Sequence, residues 1–221
     1  MNLGAPVDDS MAADFSLRLS TDAKALYFAS NRTGGFGKAD MYLSTRASKL
    51  QPWSPATNLG PLLNTDAFEA FPTPSADGLE LYFNRSTSFD SQDSDIWVSS
   101  RARREDPWGM PYRAPAINSD RAEFSPSLSA DGNALYFASE RTGAIELWVS
   151  TRSHGNREWT APRRLGPSVN VPGSMTLAPF ISSDQRSLYF MSARGDSFGM
   201  ACTPATCFNR VDLYVARITC R

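Results

Sequence analysis

Lysine is almost missing from this chain: of 22 basic residues only Lys24, Lys38 and Lys49 are lysines, and the rest are arginines. There is one histidine, His154, and three cysteines, Cys202, Cys207 and Cys220. A metal site built on imidazole or thiolate wants more ligands, at set spacing, than these supply. No apolar run of about 18 residues occurs, so no helical membrane span is expected. Met1–Pro6 lacks the charged start and apolar stretch of a signal peptide. A basic excess is absent as well, because 22 Lys and Arg face 23 Asp and Glu for a net charge of −1. That balance argues against nucleic acid or an anionic membrane as the main partner. There is no Gly-x-Ser-x-Gly elbow, and apolar residues nowhere recur at helical spacing over three turns.

What is present is a repeat. The string Leu-Tyr-Phe occurs at Leu26-Tyr27-Phe28, Leu81-Tyr82-Phe83, Leu135-Tyr136-Phe137 and Leu188-Tyr189-Phe190, spaced 55, 54 and 53 residues apart. A tight turn precedes each copy, at Ser20-Thr21-Asp22-Ala23, Ser75-Ala76-Asp77-Gly78, Ser129-Ala130-Asp131-Gly132 and Ser182-Ser183-Asp184-Gln185. A polar loop opened by Arg32, Arg85, Arg141 or Arg194 follows, and then a second strand beginning at Asp40, Asp95, Glu146 or Asp212. Trp53, Trp108 and Trp159 mark a further segment with a proline close behind. Four short strands per unit, rich in Tyr, Trp, Phe and Val, read as propeller blades. A lone blade cannot bury both faces, so the copies fold together. The expected fold is an all-β, four-bladed β-propeller of four antiparallel strands per blade, forming a single domain over residues 1–221. The blades fall at approximately 11–63, 64–117, 118–169 and 170–221.

The segment Asn2-Leu3-Gly4-Ala5-Pro6-Val7 is similar to Asn58-Leu59-Gly60-Pro61-Leu62-Leu63 at the end of the first repeat. Residues 1–10 are therefore expected to supply the closing strand of the last blade, which removes exposed sheet edges. A monomer follows from this closure; a dimer formed by blade completion is the alternative.

The Ser-Ala-Asp-Gly turns, the Leu-Tyr-Phe-Ala-Ser strands, Ser30-Asn31-Arg32-Thr33-Gly34-Gly35-Phe36-Gly37 and the Asp-Ile-Trp-Val-type strands together resemble the TolB-type, WD-like β-propeller repeat family of bacteria. The resemblance covers essentially the whole chain. It implies a periplasmic or secreted protein of the cell envelope that contacts a protein or glycan ligand.

In a propeller the loop before each inner strand and the loop between the second and third strands share one face. On that face stand Asp14, Glu69 and Glu123, with Thr176 in the fourth copy. Asn64 and Asn118 lie five residues upstream of two of these acids, and Asn170 six upstream of Thr176. One reading is an oxygen-lined mouth on the axis holding a cation, for which Ca²⁺ suits carboxylate and amide oxygens. The other is that each acid pairs with an arginine or with backbone donors and holds the blades in register. The repeated Arg32, Arg85, Arg141 and Arg194 are expected to bridge to Asp40, Asp95, Glu146 and Asp212 across the hairpin base; the alternative is a row of anion-binding arginines. An inner-strand position reads Arg18, Thr73, Ser127 and Phe180, so the channel wall is unequal. The fourth-blade loop, with Phe198, Met200 and Phe208 around Cys202 and Cys207, is a candidate partner contact. Those two cysteines form either a small disulfide ring or free thiols, and the ring would imply an oxidising compartment. The function expected is a non-catalytic binding or scaffold module at the axis mouth. The alternative is a small metal-dependent hydrolase or lactonase with a cation among the acids.

Overall fold

The structure is a computed structural model, and it describes residues 7–153, 155, 157–194 and 211–218. The chain is all β, with no helix among the described residues, and its four antiparallel sheets are the blades of a β-propeller. It divides into two compact units, one of Met1–Phe89 with Asp95–Ala114, the other of Asp90–Ser94 with Pro115–Arg221.

The first unit carries two sheets. One holds β1 (Asp14–Leu19), β2 (Ala25–Ser30), β3 (Asp40–Thr45) and β4 (Thr57–Asn58); the other holds β5 (Phe68–Pro74), β6 (Glu80–Ser86), β7 (Asp95–Ser100) and β8 (Tyr112–Arg113). Tyr27 and Met41 of the first sheet pack with Leu63, Leu81 and Phe83. Leu, Tyr and Phe of each repeated string point alternately to the two faces of a strand, and in β2 and β6 all three are buried. That is the reason for an unbroken apolar run where a one-sided sheet would alternate.

The second unit holds β9 (Glu123–Leu128), β10 (Ala134–Ser139), β11 (Glu146–Thr151) and β12 (Arg163–Arg164) in one sheet, and β13 (Thr176–Ile181), β14 (Ser187–Ser192) and β15 (Asp212–Arg217) in the other. Ala138 and Leu147 pack with Leu177, Ile181, Leu188 and Phe190 in one core. The last sheet has three strands among the described residues. Of the segment expected to close it, residues 1–6 lie outside the described residues, and Val7–Ser10 form no strand. Cys202, Cys207, Cys220, Phe198, Met200, Phe208 and His154 also lie outside them.

Two local devices recur. The first is the turn between inner and second strand. Ser20, Ser75, Ser129 and Ser182 each donate their hydroxyl to the aspartate two residues on, at 2.6, 2.5, 2.6 and 2.6 Å. The same hydroxyls accept the N–H of Ala25, Glu80, Ala134 and Ser187. The next residue has positive φ in every copy: Ala23 (56°), Gly78 (71°), Gly132 (74°) and Gln185 (59°). The second device is a bulge in each inner strand, where Ser16, Phe71, Ser125 and Ala178 take φ of 55°, 55°, 53° and 49° and the register to the second strand shifts.

Arginines after the third strand tie these turns to the tryptophans. Arg46, Arg101 and Arg152 donate Nε to the carbonyls of Ala23, Gly78 and Gly132. Their guanidinium groups lie 4.2, 4.1 and 4.5 Å over Trp53, Trp108 and Trp159. In the last copy Ile218 holds the corresponding place.

Left-handed backbone costs an L-residue about 1–2 kcal/mol, and glycine gives back about 0.5–1 kcal/mol of that through chain entropy. Ala23→Gly is therefore expected to raise unfolding free energy by up to about 1 kcal/mol in denaturant titration. A lower value would mean that the methyl group of Ala23 contributes packing that outweighs its strain.

Candidate functional site

The inner-strand acids do not stand alone. Each faces the arginine that ends the second strand of its own blade. Arg32 Nη2 donates to Asp14 Oδ1 at 2.7 Å, Arg85 Nε to Glu69 Oε1 at 2.7 Å, and Arg141 Nη2 to Glu123 Oε1 at 3.1 Å. The expected bridges across the hairpin base are therefore corrected. Asp40 instead accepts the N–H groups of Phe36 and Gly37 and the amide of Asn58. Asp95 pairs with Arg113 and Glu146 with Arg164, both from the fourth strand. The register sets both acids beside the end of the second strand, Asp14 and Asp40 each opposite Ser30, and the third-strand acid is taken up by these other donors.

The arginines do more than pair. Nη2 of Arg32, Arg85, Arg141 and Arg194 donates to the carbonyl of Val7, Leu63, Ile117 and Val169, the residues that lead into each blade. Each guanidinium also covers two rings. Arg32 lies 5.0 and 4.8 Å from the centroids of Phe28 and Tyr42, and Arg85 lies 5.6 and 4.5 Å from Phe83 and Trp97. Arg141 sits over Phe137 and Trp148, and Arg194 over Phe190 and Tyr214. Arg85 stands only two residues after Phe83, whereas the other three stand four after their phenylalanines. It nevertheless reaches the same set of partners. The contact set is what repeats, and the sequence position is free to move.

Glu69 and Glu123 are fully buried, and their remaining lone pairs are used. Thr65 and Ser119, four residues upstream, donate both hydroxyl and N–H to them. Ser139 also donates to Glu123, at 2.6 Å. Burial pushes the Glu69 carboxyl up, against the opposing pull of Thr65 and Arg85, and the net direction is upward. Burial also raises the Asp14 carboxyl, but hydrogen bonds from Ser30, the Asp9 N–H and Arg32 outweigh it, so the net direction is downward. In the fourth blade Thr176 replaces the acid and lies 3.4 Å from the Ser192 hydroxyl. Desolvation there lowers the Arg194 guanidinium.

Two of the upstream asparagines, Asn64 and Asn170, serve the backbone. Asn64 Oδ1 accepts the Met41 N–H at 2.8 Å while its Nδ2 donates to the Met41 carbonyl. Asn170 does the same with Leu147. Both are buried; Asn118 is half-buried. Arg18, on β1, is half-buried, and desolvation pushes its guanidinium down to about 10, which leaves it charged at neutral pH. Phe180 on β13 is 46% exposed beside Tyr189, with centroids 6.3 Å apart.

Among the described residues, no three His, Cys, Asp or Glu side chains gather as a metal site. An arginine within hydrogen-bond reach of Asp14, Glu69 and Glu123 opposes a Ca²⁺ ion at the same oxygens, since both are cations. The chemistry that the arrangement supports is mechanical. It fixes the linker, the inner strand and two aromatic rings to one guanidinium.

A cavity of about 480 Å³ opens in the first unit and is lined by Phe15, Ser16, Phe68, Phe71 and Phe89. Phe15, Phe68 and Phe71 were not site expectations, whereas Phe89 lies in the second-blade loop, residues 86–94, a long departure from the repeat of the kind where ligands meet a propeller. Their signal was faint: Phe68 and Phe71 flank Glu69 in a strand that other copies fill with smaller residues at these places.

No family model matches the chain, and no curated protein matches it. Solved structures do. TolB from Acinetobacter baumannii aligns with TM-score 0.62 at 17% identity, over 96% of this chain and 43% of that one. A putative TolB from Agrobacterium tumefaciens aligns with TM-score 0.54 at 17% identity, over 81% of this chain and 54% of that one. An α-L-arabinofuranosidase from Lactobacillus brevis aligns with TM-score 0.59 at 14% identity, over 92% and 71%. The chain thus shares the β-propeller fold of TolB and spans about half the length of these TolB chains. No helix among the described residues is long and apolar enough to cross a membrane.

Removing one partner of a buried charge pair leaves the other uncompensated, at a cost of about 3–5 kcal/mol. Arg85→Ala is expected to lose about 3 kcal/mol of unfolding free energy, because Glu69 stays behind, buried. Glu69→Thr, which copies the fourth blade, is expected to cost less, and the double variant less than the sum of the two. Additivity would mean that the pair carries no coupling. The depressed Asp14 contributes stability above its unfolded value near 3.8, and this is lost as pH falls through its lower folded value. Asp14→Asn is expected to flatten that acid limb of a Tm–pH profile.

Proposed function

We propose that the chain is a non-catalytic binding or scaffold propeller of the bacterial cell envelope or secreted space, taking a protein segment or a glycan on the loop face of its blades. The observation that carries this reading is the arginine beside each inner-strand acid. A general acid, general base or metal ligand needs carboxylate oxygens that can reach a substrate, and here guanidinium, hydroxyl and backbone donors hold them. The fourth blade keeps its arginine with a threonine in the acid's place. That substitution suits a structural clamp and would break a symmetric ligand shell. Arg18 and Phe180 remain the variable inner-strand positions through which a ligand would distinguish blades. A periplasmic or secreted location rests on the resemblance of the repeats and of the fold to TolB.

Chelator-treated protein titrated with Ca²⁺ is expected to give no heat and no rise in Tm. Chromogenic ester, lactone and arabinofuranoside substrates are expected to stay intact with or without the metal, while peptide or glycan arrays retain the protein. Calcium-dependent turnover of any of these substrates would overturn the proposal in favour of the hydrolase reading.

A further inference from the structure

The phenylalanine cavity is not a product of the repeat. Phe71 occupies the bulge position that the other blades give to Ser16, Ser125 and Ala178, and it keeps the same left-handed backbone, φ 55°. A bulky ring there is an outlier, held at a cost of about 1–3 kcal/mol. Phe68 stands where the other copies have Ala13, Ala122 and Met175. Phe89 belongs to a loop that only the second blade has in this form, and it is 56% exposed. The rings are ordered on one another: Phe68 stacks on Phe15 at 5.8 Å and takes Phe89 edge-on at 5.7 Å. One loop of the first blade braces this arrangement, for Lys38 donates Nζ to the Thr87 carbonyl at 2.5 Å. Phe68 joins the first two blades in a core with Ala29, Ala39 and Ala70, against which Phe15 and Phe71 pack, and Phe89 carries the cluster out to the surface.

Two properties define what fits. The lining offers Ser16 as its one polar side chain, so a sugar would lose hydroxyl hydrogen bonds on entry, at about 1–3 kcal/mol for each unmet group. An aromatic ring would gain further edge and stacked contacts. The second property is charge. Segments 7–16, 31–40, 64–71 and 85–89 carry Asp8, Asp9, Asp14, Asp40, Asp66 and Glu69 against Arg32, Lys38 and Arg85, six acids to three bases, or −3. The Arg32 and Arg85 pairs cancel within this set, and Lys38 offsets one of the four remaining acids, so these segments keep their net charge of −3. Opposite charge on a partner raises its encounter rate and selects its register.

We propose that this cavity takes the aromatic side chain of a basic protein segment, an extended stretch with phenylalanine or a similar ring flanked by lysine or arginine. This rests on the binding role proposed above and chooses protein over glycan. Chemical-shift titration with the probe peptide acetyl-Lys-Lys-Phe-Lys-Lys-amide tests it, beside probes with Phe replaced by Ala or each Lys replaced by Glu. The first probe is expected to bind about tenfold more tightly than either control, and its affinity to fall as salt rises from about 50 to about 500 mM. Phe89→Ala and Phe71→Ser are each expected to weaken it at least about fivefold. Serine is native at the same bulge in two blades, so Phe71→Ser is expected to keep its Tm. Binding that persists in both variants, or that ignores the ring or the charge of the probe, would overturn the cavity assignment while leaving a binding role intact. No binding of the first probe would overturn it too. Substrate turnover is the separate result that would remove the broader role.

Discussion

One arginine per blade is the constraint on which the rest of this structure depends. Arg32, Arg85, Arg141 and Arg194 each lie over two aromatic rings and reach back to the carbonyl of the residue that leads into the blade. Three of them also neutralise an inner-strand acid. A guanidinium suits this task because it is planar enough to stack and still offers donors in a fixed fork. Lysine, with a compact and strongly hydrated charge, could pair with the acid but could not cover the rings as well. The near absence of lysine therefore has a structural reason at these four places.

The clamp also organises what surrounds it. Burial of Glu69 and Glu123 is tolerable only because a cation and two donors from Thr65 or Ser119 meet each one. Asn64 and Asn170 extend the same logic, since each amide accepts a strand N–H and adds a second donor to the carbonyl of the same residue. The second arginine set, over Trp53, Trp108 and Trp159, secures the far turn of each blade. In the last copy Ile218 stands where the other three have this arginine.

Much of the fold was legible in the residues, because Leu-Tyr-Phe, the Ser-x-Asp turn and the third-strand acid recur in frame. The partner of the repeated arginine was not. Asp14 and Asp40 are both in range of Arg32 on a sequence map, and an acid opens the third strand of every copy. The Phe36 and Gly37 N–H groups and the Asn58 amide take up Asp40 and leave Asp14 for Arg32. The backbone bonds of Asn64 and Asn170 were hidden for a related reason: oxygen atoms that recur near acids look like ligands until their partners are seen. The phenylalanine cavity escaped notice because its rings come from β1, β5 and a loop, and of them only Phe15 recurs, as Phe124. Exceptions to a repeat are where its specific use is written, and they carry no periodic signal.

If the planar, ring-covering guanidinium is what holds each blade, charge alone cannot replace it. The most direct measurement is the unfolding free energy of Arg141→Lys set beside that of Arg141→Ala. Lysine at this position is predicted to recover less than half of what alanine loses, because it cannot lie over Phe137 and Trp148 while reaching Glu123 and the Ile117 carbonyl together. Stability close to that of the parent chain in Arg141→Lys would contradict the account, and would reduce the clamp to a simple ion pair.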